Sequence, residues 1–341
     1  MGAIMTETST NQQRQKRATR ADVAQLAGVS TAVVSYVFNN GPRRVAPATS
    51  EKVRRAAKLL DYRPNTTARA LRTGFSKMMA VIVPDSSNPF SAGIYNELQS
   101  AASRHGYSLM FMNVKGDPDL EEDAISKLIE RNVDAIFLST SRTYDQISMA
   151  PLDQSRFIFM DQPRRVMNAK SVSTDFYSSA MTATEHLIGH KFCSVDMLYG
   201  GPEEDRTDDR VRGWYAAHQN NNLPAGRIIR SYFTREGGYR ATLKLLDSDH
   251  QPQAIFAGSD MEAMGALRAL HERGLRIPED VAIVSFDGTV DSLYTWPQLT
   301  TMQQDTQKIA ACAMNAALDP DQVPDVQLIK ADLVIRHSCG C

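Results

Sequence analysis

Residues 76–341 alternate between short apolar runs and amphipathic helical stretches. This alternation limits the possible folds of the chain more than any other feature of the sequence. Short apolar runs predict buried strands, and the helical periodicity between them predicts helices that cover a parallel sheet. The predicted strands are Met79–Val83, Ser108–Met112, Ala135–Leu138, Phe157–Met160, Ser194–Leu198, Ala254–Ala257 and Val281–Ser285. The predicted helices are Phe90–Arg104, Leu120–Arg131, Ser178–Gly189, Val211–Asn220, Gly237–Leu246, Met261–Arg273 and Thr306–Leu318.

Length and composition indicate a soluble protein of two or three domains, since the chain has 341 residues, 42% hydrophobic and 23% charged. No apolar run approaches the roughly 20 residues of a membrane span. The polar segment Met1 to Lys16 has no apolar region of a secretory signal. Four cysteines make no disulfide framework here, so we expect reduced thiols and a cytoplasmic, nucleoid-associated protein with no membrane partner.

The net charge of −1 hides a basic head on an acidic body. Residues 1–77 hold 14 Lys and Arg against 4 Asp and Glu, and the remainder holds 24 against 35. A basic head indicates a polyanionic partner, although a disordered basic tail would have the same composition.

The head carries two short helical patterns joined by a turn. Thr19, three residues before Asp22, begins the first, Gly28 ends it, and Ser30 caps a second helix over Thr31 to Phe38. This is the helix-turn-helix arrangement, in which the second helix enters the major groove, although an ordinary helical hairpin has the same pattern. The outward-facing residues of the second helix are Thr31, Ala32, Ser35 and Tyr36.

Two further segments follow in the head. A third helix with a basic face is predicted from about Pro47 to Leu60, and Asp61 to Pro64 breaks it. A last short helix, over Thr66 to Thr73, stops at Gly74. It is too short to be stable alone, so we expect it to fold on a partner.

Residues 22–39 and 60–71 resemble the N-terminal signature of the LacI/GalR repressors. The resemblance implies that Thr31, Ala32 and Tyr36 face bases, and that Leu71 wedges into the minor groove and kinks the duplex. Tyr36 stands where the family often has Arg, so no operator sequence can be carried over. The full set of expected DNA-binding residues is Thr19, Ser30, Thr31, Ala32, Ser35, Tyr36, Asn39, Arg69, Leu71 and Arg72.

In the body, the residues just after the strands are candidates for a ligand site, because ligands bind parallel sheets beyond the carboxyl ends of the strands. A lone Asp there is more often a helix cap. The body resembles a LacI/GalR effector domain, two lobes similar to periplasmic sugar-binding proteins, and this favours a site. Asp287 and Arg210 match its ligand-binding Asp and Arg, and the others match more loosely. The expected effector-binding residues are Asp85, Asn88, Phe90, Ser139, Asp161, Arg210, Ser259 and Asp287.

We expect no cofactor, no metal and no catalytic residue. The pair Cys339 and Cys341 is too close-spaced and terminal to build a metal site without distant ligands, and the seven histidines show no ligand spacing. No Ser/His/Asp or Cys/His constellation has local support, so the chain is not expected to be an enzyme.

The sequence therefore predicts a homodimeric regulator, most simply a repressor, whose binding to double-stranded operator DNA is controlled by a sugar-like effector. A solute-binding protein built on the same body, or an enzyme acting in the cleft, are the alternatives. The predicted parts are a disordered arm 1–17, a helix-turn-helix domain 18–64, a hinge helix 65–75, and an effector and dimerisation domain 76–341. We expect lobe 1 to hold 76–174 and 304–325, and lobe 2 to hold 175–303 and 326–341.

Overall fold

The computed structural model describes residues 18–39, 44–64, 70–71, 73–140, 142, 156–166, 168–201, 208–249 and 251–341. The chain divides into two units, residues 1–74 and 75–341. Within the described residues the helices are α1 Arg20–Ala27, α2 Thr31–Asn39, α3 Pro47–Leu59, α4 Pro89–Arg104, α5 Pro118–Glu130, α6 Phe176–Gly189, α7 Asp209–Asn220, α8 Arg235–Leu246, α9 Asp260–Glu272 and α10 Thr306–Leu318. The strands are β1 Met78–Val83, β2 Ser108–Asn113, β3 Ala135–Ser139, β4 Phe157–Met160, β5 Lys170–Thr174, β6 Asp196–Tyr199, β7 Ile228–Arg230, β8 Ala254–Ala257, β9 Ala282–Asp287, β10 Thr300–Gln303, β11 Val326–Ile329 and β12 Asp332–Val334.

The first unit is a cluster of three short helices around a small apolar core. Val23 of α1, Val34 of α2 and Val53 of α3 are all fully buried in it. Helix α1 ends where Gly28 takes a left-handed conformation with φ 66°, which a residue without Cβ adopts at low cost. Among the described helices none alone could cross a membrane, and α1 with α2 meets the length and composition requirement only across a bend of 105°.

The second unit contains two lobes, each built on a six-stranded sheet. The first lobe has the strand order β11-β5-β4-β3-β1-β2, and all its pairings are parallel. Helices α4 and α10 cover one face of this sheet through residues such as Leu98 and Ala313. Helix α5 covers the other face through Leu128. The apolar runs of the inner strands β1 and β3 are therefore buried on both sides, as parallel sheets require, whereas the edge strand β2 is only partly buried.

The second lobe repeats this layering, with the strand order β12-β10-β9-β8-β6-β7. Only its edge strand β12 is antiparallel. Helices α6 and α7 pack on one face, where Trp214 is fully buried. Helices α8 and α9 pack on the other face, around Leu245 and Leu270.

The boundary between the lobes corrects one expectation. The sequence predicts residues 326–341 in the second lobe, but Val326–Ile329 forms β11 and pairs in parallel with β5 of the first lobe, Val326 opposite Ser171. The chain therefore crosses between lobes after β5, after β10 and after β11. The prediction of lobe 2 for residues 326–329 is wrong because the pattern of a segment can indicate a strand but does not determine which sheet that strand joins.

Candidate functional site

The second helix of the head presents its predicted reading residues at the surface. Thr31 and Ala32 are exposed and Tyr36 is half-buried, while Val34 faces the core. The Ser30 hydroxyl accepts a hydrogen bond from the Val33 amide at 3.4 Å, near the start of α2. This arrangement leaves the N-terminal turn of α2 open to a partner, as recognition of base edges by a helix requires.

Thr19 and Ser30, both expected to bind DNA, also have local structural roles. The Thr19 hydroxyl accepts from the Asp22 amide, and the Asp22 carboxylate accepts from the Thr19 amide at 2.7 Å, which completes a capping box. Ser35 is half-buried on α2. The side chain of Asn39 lies outside the described residues, as do Arg69, Arg72 and the arm 1–17.

A basic surface and an exposed leucine complete the described part of the head. Lys52, Arg54, Arg55 and Lys58 are all exposed on α3. Ala70, Leu71 and Thr73 are helical, and Leu71 is 86% exposed. An apolar side chain held out from a helix in this way has surface available for a partner.

Within the second unit, the ends of β3 and β4 bring two predicted effector-binding residues into contact. The Ser139 hydroxyl donates to the Asp161 carboxylate at 2.7 Å. Asp161 has φ 66°, a left-handed conformation that non-glycine residues rarely adopt and that is often found at functional sites. Burial raises the pKa of Asp161, against the opposing effects of the Ser139 hydrogen bond and the Arg210 charge.

The residues after β1 make mainly local contacts. The Asp85 carboxylate accepts from the amide and the hydroxyl of Ser87, at 2.8 and 2.9 Å. Asn88 caps α4 by accepting from the Phe90 amide at 2.9 Å, and the Phe90 ring packs on the core of the first lobe. These residues shape the loop at the end of β1.

Arg210 lies at the start of α7, where the Asp208 carboxylate caps the helix and accepts from the Arg210 amide at 2.7 Å. Its guanidinium lies over the Phe176 ring, 3.8 Å from the ring centre, and near the rings of Phe286 and Phe233. Its Nε is buried and has no hydrogen-bond partner among the described residues. A buried guanidinium N–H without a partner costs free energy, so Arg210 has an unsatisfied donor in the second lobe.

Asp287 ends β9 in a strained conformation, with φ 103°, and is buried. Its carboxylate accepts from the Gln304 amide at 2.8 Å. Burial and the charge of Asp260 raise its pKa well above the ordinary value, while the Arg210 guanidinium lowers it.

Two further buried carboxyl groups lie at the start of α9, beside Asp287. The Asp260 carboxylate accepts from Ser285, Thr301 and both the amide and hydroxyl of Thr289, which explains how its burial is tolerated. Burial raises its pKa even so. Asp260 therefore holds the loop that follows β9 in place.

Glu262 is fully buried and accepts hydrogen bonds from the hydroxyls of Ser231 and Ser259. Burial raises its pKa to about 8, despite these bonds and the Arg210 charge. Ser259, a predicted effector-binding residue, is also the N-cap of α9. Its hydroxyl is thus already engaged with Glu262, and whether it also binds a ligand stays a prediction.

The Arg210 charge opposes the rise in pKa that burial causes in Asp161, Glu262 and Asp287 alike, so these three carboxyl groups share one cation. The first of these belongs to the first lobe and the other two to the second. Sequence reasoning missed Glu262, Gln304 and Phe176. Glu262 follows Ser259 by three residues, a spacing that predicts an ordinary capping box, and nothing in the sequence marks it as buried.

Comparisons with known proteins agree with both units. Residues 19–65 match the family model for bacterial regulatory proteins of the lacI family, and residues 184–339 match the periplasmic binding protein-like domain. The HTH-type transcriptional repressor PurR of Histophilus somni (strain 129Pt) is 30% identical over 330 residues, which cover 94% of this chain and 98% of that protein.

Two solved structures show the same fold. The lac repressor dimer bound to operator and the anti-inducer ONPF has a TM-score of 0.78 at 26% identity, and covers 95% of this chain and 99% of its own. A LacI family transcriptional regulator from Enterococcus faecium with bound ribose has a TM-score of 0.66 at 26% identity, and covers 76% and 98%. With a relative of this identity matched over nearly its whole length, the chain belongs to the lacI family of bacterial regulatory proteins, which are DNA-binding transcriptional regulators.

Proposed function

We propose that this regulator acts as a homodimer whose operator binding is controlled by a small, hydroxylated, sugar-like effector. The effector binds among Arg210, Asp161 and Asp287, with Ser139 beside them. The solved relative from Enterococcus faecium holds ribose, which supports the same class of ligand for this chain.

The proposal rests on the surroundings of the Arg210 guanidinium. Its guanidinium is held against Phe176 and retains one buried N–H with no partner in the described residues. The Arg210 charge lowers the pKa of Asp161 in the first lobe and of Asp287 in the second, against the larger effect of burial. A cation with a free donor among carboxyl acceptors suits a ligand that carries several hydroxyl groups, since each hydroxyl both donates and accepts.

A chain of hydrogen bonds supports coupling of this site to the hinge between the lobes. The Thr174 hydroxyl at the end of β5 donates to the Gln304 side-chain oxygen at 2.5 Å, and the Gln304 amide donates to Asp287 at 2.8 Å. Both Thr174 and Gln304 lie where the chain crosses between lobes. An effector that binds one lobe arrangement better than the other would shift the population of arrangements, and so the affinity for DNA.

In the head, we assign base contacts to the exposed N-terminal turn of α2, at Thr31, Ala32 and Tyr36. We assign the minor groove to Leu71. A twofold dimer presents two identical heads, so the operator should be pseudo-palindromic. The basic face of α3 would contribute salt-dependent, sequence-independent affinity.

A solute-binding protein is not favoured, because the head matches a family of DNA-binding regulators in addition to the two-lobed body. We also assign the buried carboxyl groups to ligand binding instead of catalysis, in keeping with relatives named as transcriptional repressors.

The experiment that tests the effector site is a thermal-shift screen of the full chain against sugars, sugar phosphates, nucleosides and purines. A ligand that binds the folded state raises the melting temperature. The same ligand should change operator affinity, and Arg210→Ala should abolish that response while leaving DNA binding without ligand intact. Arg212→Ala is the matched control, because Arg212 is exposed two residues later on the same helix.

The assignment of Arg210 would be wrong if Arg210→Ala responded to the ligand as the wild type does. It would also be wrong if Arg212→Ala lost the response to the same extent, because removal of any positive charge on α7 would then abolish the response.

A further inference from the structure

A cluster of sulfur and imidazole groups lies in the second lobe, away from the proposed effector site. Its members are His186, His190, Cys339 and Cys341, and their potential ligand atoms all lie within 4.8 Å of one another. The Cys341 sulfur is 3.3 Å from Nε2 of His190 and 3.7 Å from Nε2 of His186. We call this set the His-Cys cluster.

The two histidines are placed by helix geometry. They lie four residues apart near the end of α6, so they project from the same face in consecutive turns. Their ring centres are 5.0 Å apart with the rings nearly perpendicular. This i, i+4 spacing is present in the sequence and corrects the expectation that the seven histidines show no ligand spacing.

The two cysteines are placed by the chain segment after β12, which is bound firmly to the second sheet. Ser338 anchors it, because the Ser338 hydroxyl donates to the Ile283 carbonyl at 2.7 Å and accepts from the Thr300 amide at 2.9 Å. Cys339 is fully buried in the lobe core, and the Thr300 hydroxyl donates to its sulfur at 3.1 Å.

Gly340 then reverses the chain with φ 97°, a conformation in the region that favours glycine. A Cβ built at Gly340 would lie 3.9 Å from Nδ1 of His190, so the turn is made directly against the histidine ring. The distant ligands that Cys339 and Cys341 lacked in the sequence are therefore supplied by α6.

Two thiolates and two imidazoles are the donor set of tetrahedral zinc sites. Bond lengths of about 2.3 Å to sulfur and about 2.0 Å to nitrogen place tetrahedral ligand atoms roughly 3.3–3.8 Å apart. The two distances from the Cys341 sulfur, 3.3 and 3.7 Å, fall in this range. The widest separation in the cluster is at most 4.8 Å, about 1 Å beyond the tetrahedral range.

We propose that the His-Cys cluster is a structural binding site for Zn²⁺ or another thiophilic divalent cation. Bound metal would fasten the segment after β12 to the last turns of α6. The first residue of this helix, Phe176, lies beneath Arg210, so the metal would stabilise the helix that supports the effector site. The site is independent of the proposed effector and can be tested without DNA.

The test uses the full chain, purified with a reductant, stripped with a chelator and titrated with Zn²⁺ and with Co²⁺. The expected result is one metal ion per chain, a higher melting temperature with Zn²⁺, and the visible and thiolate charge-transfer absorption of tetrahedral Co²⁺. His190→Gln and Cys341→Ser should each weaken Zn²⁺ binding by more than about a hundredfold, since changes outside the ligand shell already cost tenfold to a hundredfold.

Cys193→Ser and His271→Gln are the matched controls, because both residues are exposed and lie outside the cluster. Cys339 is left unchanged because it is fully buried in the lobe core, and a substitution there would also disturb folding. The proposal is overturned if the reduced chain binds no stoichiometric metal, or if His190→Gln and Cys341→Ser bind Zn²⁺ as tightly as the controls. It is also overturned if Cys339 and Cys341 form a disulfide that persists under the reductant.

Discussion

Replacing Glu262 with Gln should remove a large pH dependence from the stability of the second lobe. Burial raises the pKa of Glu262 to about 8 in the folded protein, from an ordinary 4.5. Between these values the folded state keeps the proton that the unfolded chain releases, so the free energy of unfolding falls as pH rises. The stabilisation that comes from the proton retained on Glu262 is fully present below about pH 4.5 and is lost by about pH 8. From pH 5 to pH 8 the loss is on the order of 4 kcal/mol.

A glutamine can replace the protonated carboxyl with little disturbance. The hydroxyls of Ser231 and Ser259 can each turn to donate to its carbonyl or accept from its amide. The unfolding free energy of Glu262→Gln should therefore be close to that of the wild type at pH 5 and exceed it increasingly up to pH 8.

Urea unfolding followed by tryptophan emission measures this effect. Trp214 is fully buried in the second lobe, whereas Trp296 is 94% exposed and should change little on unfolding. Glu279→Gln, at an exposed carboxyl of the same lobe, is the control. If the stability profiles of wild type and Glu262→Gln ran parallel between pH 5 and pH 8, the reasoning about this buried carboxyl would be refuted.

Three further changes test packing and the DNA-binding head. In Gly265→Ala, the new Cβ would lie 2.1 Å from the Arg235 carbonyl oxygen, so α8 and α9 must separate. We expect the free energy of unfolding to fall by about 2 kcal/mol or more in urea, and an unchanged midpoint would contradict this. Trp214→Phe removes the hydrogen bond from Nε1 to the Val195 carbonyl, 2.9 Å long, and should cost about 2 kcal/mol in urea unfolding followed by circular dichroism, because this variant lacks the buried tryptophan that reports unfolding by emission; an unchanged midpoint would contradict it. Leu71→Ala should weaken specific DNA binding much more than nonspecific binding in anisotropy titrations, whereas Leu59→Ala, at a leucine that is 73% exposed on α3, should not; equal losses on both DNAs would show that Leu71 is not a wedge.

The long periodic elements of this fold could be predicted from sequence, and the short polar strands could not. The seven predicted strands and seven predicted body helices all occur, with ends shifted by a few residues. Strand β5 was missed because Lys170–Thr174 is largely polar, and yet it is buried between two neighbours. Strands β7, β10, β11 and β12 were missed as well, each only three or four residues long.

The sequence could predict the site residues that lie in a recognisable motif. It could not predict those whose role depends on being buried by distant parts of the chain. Asp287 ends a strand and Arg210 begins a helix, and both were expected to bind the effector because they match the LacI/GalR effector domain; that role stays a prediction. Glu262 and Gln304 depend on long-range packing that brings Ser231 and Thr174 against them. For the His-Cys cluster, the i, i+4 spacing of the two histidines is present in the sequence. The position of the two cysteines beside them depends on the path of the chain after β12 and is seen only in the structure.

The most direct test of the central claim is selection of duplex DNA from a random library by the full chain, followed by affinity measurement on the selected sequence. The selected sequence should be a pseudo-palindromic site bound at least about a thousandfold more tightly than scrambled DNA, with an affinity that falls steeply with salt. A ligand found in the thermal-shift screen should change the affinity for that site. Equal affinity for selected and scrambled DNA, with the same salt dependence, would contradict sequence-specific binding.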